Sequence, residues 1–103
     1  MSFNGNESSV ISLQEATDMT SNYRNAKPGE TKAHFFGKNK LMQILNQAEC
    51  VGIRAYYGID SNGAKQLVFV GADASEEDLF NGVILDLSVI CPNNCANLSP
   101  LNG

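Results

Sequence analysis

Between Cys50 and Gly71 the sequence stops repeating every three or four residues and begins to alternate, and this change of period constrains the fold more than any other feature. Val51, Ile53, Ala55 and Tyr57 fall on one face of an extended segment, and Cys50, Gly52, Arg54 and Tyr56 on the other. Asp60-Ser61-Asn62-Gly63 follows, and Asn-Gly accepts the positive φ that tight hairpin turns require. Gln66 to Gly71 then contains Leu67, Val68, Phe69 and Val70. The pattern predicts a β-hairpin with strands over Cys50 to Ile59 and Gln66 to Gly71. A third alternating run, Val83 to Cys91, predicts another strand, ended by Pro92 because proline cannot donate to a ladder.

Upstream the period is helical. Ser12 with Glu15 three residues on spells a capping box, and Leu13, Ala16, Met19 or Thr20, and Tyr23 recur at helical spacing up to Asn25-Ala26-Lys27-Pro28-Gly29. Leu41, Ile44, Leu45 and Ala48 form the stripe of a second helix over Lys38 to Ala48. Residues 30–37, with Ala33, Phe35 and Phe36, suit either a short extended piece or a packed loop. Between the second and third strands, Ser75 followed by Glu76, Glu77 and Asp78 suits a helical turn. The expected fold is α+β: two N-terminal helices followed by a three-stranded antiparallel meander, with the helices on one sheet face. Residues 1–9 are expected to form a flexible tail, 10–91 a single domain, and 92–103 a C-terminal extension packing on it.

That sheet has a second face, which in a solvated meander should be polar. It is not: Tyr56, Val68, Val70, Ile84 and Ile90 all project to it, so an interface there is expected, with a second copy of the chain or a protein partner. Arg54 and Asp86 share that face and suit a cross-strand pair.

Composition narrows the function classes. The net charge of −4 argues against general nucleic-acid binding, which draws on basic surfaces. No run approaches the ~18 apolar residues of a membrane span. Met1 to Ser9 has neither the basic nor the apolar region of a signal peptide, and with three cysteines, an odd count, reduced thiols and a cytoplasmic location are expected. Five of the seven cations, Arg24, Lys27, Lys32, Lys38 and Lys40, lie close together, which suits either a solvated face or a local anion site.

Few residues carry recognisable chemistry. The lone histidine, His34, precedes Lys38 and Lys40, which open the second helix, and with Arg54 and Tyr56 these residues suit an anionic-ligand site or a small enzyme's centre. Cys91 and Cys95 are spaced C-x3-C rather than C-x-x-C and follow a strand instead of opening a helix, so a metal- or redox-linked module there is the weaker alternative. Buried free cysteines or a disulfide are the plainer readings. The chain shows no paired catalytic carboxylates, nucleophile elbow, dinucleotide fingerprint or repeat, and no cofactor is expected.

The stretch Cys50-Val-Gly-Ile-Arg-Ala-Tyr-Tyr, the Asp-x-Asn-Gly turn, Leu-Val-Phe-Val-Gly-Ala-Asp, and the ending Cys91-Pro-x-x-Cys with Ser99-Pro-Leu-Asn together resemble a group of small uncharacterised bacterial proteins over residues 35–102. That resemblance implies a bacterial, cytoplasmic source and no particular activity. The expected function is therefore a non-enzymatic binding or assembly module that self-associates or holds a protein partner through its apolar sheet face.

Overall fold

The computed structural model describes residues 2–102. It is α+β, with two helices and antiparallel sheets in the order α1 (Leu13–Ala26), β1 (Ala33–Phe35), α2 (Lys38–Leu45), β2 (Gly52–Ile59), β3 (Lys65–Ala72), β4 (Ile84–Leu85) and β5 (Val89–Cys91). By its contacts the chain divides into two compact units: residues up to Glu7 with Phe36–Ser88, and Ser8–Phe35 with Val89 onward.

The first unit is built on a three-stranded sheet in the order β2-β3-β4. Its hairpin closes as the Asn-Gly signal predicts. Asp60 and Ala64 bracket the turn, Gly63 adopts φ +83°, and the Asp60 carboxylate accepts the amides of Asn62 and Ala64, both at 2.9 Å. Those amide donors, Ala64 foremost, with the Gln66 side chain also donating, hold the Asp60 carboxyl below its usual range. The register runs from Gly52 opposite Ala72 to Ile59 opposite Lys65 without interruption.

Side-chain alternation then sorts the sheet. Ile53, Phe69 and Gly71 face α2, whereas Arg54, Tyr56, Val68 and Val70 face away from it. Helix α2 approaches closely because Gly71 lacks a side chain: a Cβ there would stand 3.0 Å from the Cys50 sulfur and 3.2 Å from an Ile44 methyl. Ile44 is 0% exposed, the one large side chain completely enclosed among the described residues. Its enclosure is worth about 2–3 kcal/mol. Phe36 stacks on Phe69 with ring centroids 3.9 Å apart.

Helix α2 ends at Leu45 rather than at Ala48. Gln47 leaves the helical path to donate to the Ile44 carbonyl and accept the Val83 amide at 2.8 Å, and Glu49 turns the chain through φ +70°. The same amide explains Gly82, where a Cβ would collide with the Gln47 side-chain oxygen.

The third strand departs furthest from expectation. Val83 to Cys91 is not one strand but two, in different sheets: β4 pairs with β3, and β5 pairs with β1. The break falls at Leu87, whose φ of +57° no extended residue adopts. The meander therefore ends at β4, and the segment expected to be a strand or packed loop at 30–37 supplies the partner of β5. No helical turn forms at Ser75. Instead Asp73 accepts the amides of Ser75 and Glu77, folding 73–77 into a tight loop that returns Asp78 beside Ala72.

The second unit pairs β1 with β5 in the register Ala33 to Cys91 through Phe35 to Val89. Its helix α1 opens with the capping box: the Glu15 amide donates to the Ser12 hydroxyl, and the Ser12 amide to the Glu15 carboxylate. Beyond β5, Asn102 donates to the Ala96 carbonyl, and Arg24 of α1 reaches the Leu101 carbonyl at 2.6 Å.

Candidate functional site

On the sheet face turned away from α2, Arg54 and Tyr56 stand two residues apart on β2 and both reach across β3 to Asp78. Arg54 donates to one carboxylate oxygen of Asp78 at 2.6 Å and to the Glu76 carbonyl at 3.2 Å; the Tyr56 hydroxyl donates to the other carboxylate oxygen. Arg54 sits opposite Val70 and Asp78 opposite Ala72, so this bridge spans β3 over those two residues. The guanidinium also lies 5.4 Å from the centre of the Phe3 ring, and the Phe3 amide bonds the Ala74 carbonyl. The hydroxyl of Tyr56, and then Arg54, hold the Asp78 carboxyl below its ordinary value. The hydrogen bond to Asp78 in turn raises both Tyr56 and Arg54.

This bridge corrects two expectations. Arg54 pairs with Asp78, not Asp86, because the 73–77 loop delivers Asp78 to the edge of β3. Val70 is not an open interface residue: it is 4% exposed. Of the five residues expected to form the interface, Tyr56 is tied to Asp78, Val68 is half-buried, and Ile84 remains half-open opposite Val70. Ile90 lies in β5, opposite His34 of the second unit, because the break at Leu87 removes it from the three-stranded sheet.

The residues proposed to hold a ligand are divided. Lys38 and Lys40 begin α2, on the Ile53 and Gly71 side of the sheet, whereas Arg54 and Tyr56 occupy the opposite side. A single centre does not draw on both pairs. His34, half-buried, belongs to β1 in the second unit.

Cys91 and Cys95 are joined as a disulfide, their Cα atoms 4.8 Å apart, which is one of the two plainer readings of the pair and departs from the reduced thiols expected from the odd cysteine count. Sulfurs bonded to each other offer no thiolate to a metal, and the described residues contain no group of three or more histidine, cysteine, aspartate or glutamate side chains suited to one. Cys50 keeps a free thiol beneath Gly71. The second unit also carries an open cleft of about 320 Å³ lined by Arg24, Lys27, Lys32 and Pro92, with Glu30 among the cations. Arg24 is already committed to the Leu101 carbonyl, and Glu30 offsets part of the charge.

Two neighbouring open apolar side chains of the first unit lie elsewhere, on β2. Tyr57 is 94% exposed and Ile59 75%, both on the α2 side of β2 but beyond the reach of an eight-residue helix. Ala55 beside them is also exposed. β2 is a margin of its sheet, with β3 as its strand neighbour and no other among the described residues. The alternation places Ala55 and Tyr57 on the helix-covered face, and the stripe Leu41, Ile44, Leu45 and Ala48 predicts a longer helix than the one that forms; the early end of α2 at Leu45 leaves this flank open.

No helix among the described residues is long and apolar enough to cross a membrane. No protein-family model matches the sequence, and no curated protein or solved structure matches it.

Proposed function

We propose that the chain is a non-enzymatic binding and assembly module whose working surface is the outer flank of β2. The observation that carries this reading is the exposure of Tyr57 at the unpaired margin of the sheet. A tyrosine combines a large apolar ring with a polar tip and loses little freedom when docked, which suits it to a contact surface. Ile59 and Ala55 extend the surface along the strand. The chemistry-bearing side chains support the same reading. Arg54, Tyr56 and Asp78 satisfy one another, so they serve as a brace that holds β2 flat against β3.

The Cys91–Cys95 bond supports reading the chain as a protein of an oxidising compartment, in place of the cytoplasmic location expected from the odd cysteine count. A persistent disulfide belongs to an oxidising setting, whereas in the cytoplasm the pair would be held reduced.

A photo-crosslinking amino acid placed at Tyr57 in producing cells tests the module reading. Covalent protein adducts are expected at 57 and not at Gln43, an exposed control on α2. Absence of any adduct at 57, with the protein folded, overturns it.

A further inference from the structure

We infer that the outer edge of β2 pairs with the same edge of a second copy, antiparallel, about a two-fold axis at Tyr56. The inference rests on the reading above and names its partner. In an antiparallel ladder, alternate residues direct both backbone groups to one neighbour. The Asp60 amide donates to the Ala64 carbonyl at 2.9 Å, which fixes the even-numbered residues of β2 as those bonded to β3. On the far side of β3 the Leu79 amide donates to Gly71, the residue opposite Ile53, as this alternation requires. Ile53, Ala55, Tyr57 and Ile59 therefore turn their N–H and C=O groups away from β3.

These four positions are self-complementary. A two-fold at Tyr56 sets Ile53 against Ile59 of the second copy and Ala55 against Tyr57, so every outward group on both strands finds a partner. An axis at Ala55 leaves Ile59 facing Val51, whose amide is already bonded to Ala72; an axis at Tyr57 leaves Ile53 facing the turn at Ser61. Charge agrees. Arg54 is the only ionisable charge in β2 apart from its tyrosines, it is held by Asp78, and the axis at Tyr56 places it opposite Gly58. β2 also lacks devices that keep strand edges apart: it has no lysine and no proline, and its register with β3 runs unbroken from Gly52 to Ile59. Pairing would seat Tyr57 beside Ala55 of the second copy and Ile59 beside Ile53, covering the most open side chains of the flank. The interface is isologous and closes on itself as a dimer with one continuous sheet.

The test is sedimentation velocity over a concentration series on the full chain, with Ala55→Pro as the variant. The Ala55 amide faces outward, so proline there removes no β2–β3 bond. The dimer carries the change twice, and its dissociation constant is expected to rise roughly a hundredfold. A second variant, Ala55→Cys with Tyr57→Cys, should form an interchain disulfide under mild oxidation, since the two positions face each other across the axis at bonding distance. Ala55→Cys alone should not. A wild-type chain that stays monomeric at every concentration, or an Ala55→Pro dimer as tight as wild type, overturns self-pairing. Adducts at Tyr57 of a mass other than a dimer, together with a monomeric wild type, sink this inference and leave the module reading standing.

Discussion

Asp78 shows how one carboxylate organises the sheet face around it. It accepts from Arg54 and from the Tyr56 hydroxyl, and both donors favour its charged form. The consequence for pH has a definite sign. A carboxyl held below its ordinary value of 3.8 contributes stability that is present above that value and is lost as pH falls through the lowered one. Tyr56, raised above its ordinary 10.0, contributes stability present below that value and lost as pH rises through the raised one. Urea midpoints of Asp78→Asn and wild type should therefore differ most between about pH 5 and 9 and converge at both extremes. A difference that is the same at pH 3 as at pH 7 contradicts the assignment. Asp78 was not legible as Arg54's partner in the sequence. Its position depends on the Asp73-centred loop, whereas the alternation of Val83 to Cys91 places Asp86 on the same face as Arg54. Ser12 with Glu15, and Asn62-Gly63, were legible because each acts within four residues.

At the scale of elements, local signals placed α1, α2, β2 and β3, and the side-chain parity of the hairpin followed from its turn. The failure came at Val83 to Cys91, where unbroken alternation concealed a change of sheet. Leu87 takes the left-handed conformation without the glycine or asparagine that ordinarily announces it. Among the described residues three-residue β5 pairs only with three-residue β1, so its unit has little sheet of its own. The Cys91–Cys95 crosslink closes a short loop directly at the end of β5. For so short a loop the chain-entropy effect is about 2 kcal/mol. Replacing both cysteines by serine should lower stability by about that amount in urea unfolding, with the loss reported by probes in the second unit. Indifference of that unit to the double replacement contradicts a structural role for the bond.

For the whole molecule, the account turns on what the outer edge of β2 meets. Among the described residues only Ile44 of the large side chains is completely enclosed, while Tyr57 and Ile59 stand open beside backbone groups that β3 does not use. A strand with these properties invites another strand, and its odd-numbered positions complement themselves. Amide hydrogen exchange resolved by residue, at low and high protein concentration, tests this most directly. The even-numbered amides of β2 should be protected at both concentrations, because they belong to the ladder with β3. The amides of Ile53, Ala55, Tyr57 and Ile59 should exchange quickly when dilute and become protected when concentrated. If those four stay fast at every concentration, or are protected equally at both, the edge of β2 does not pair with a second copy.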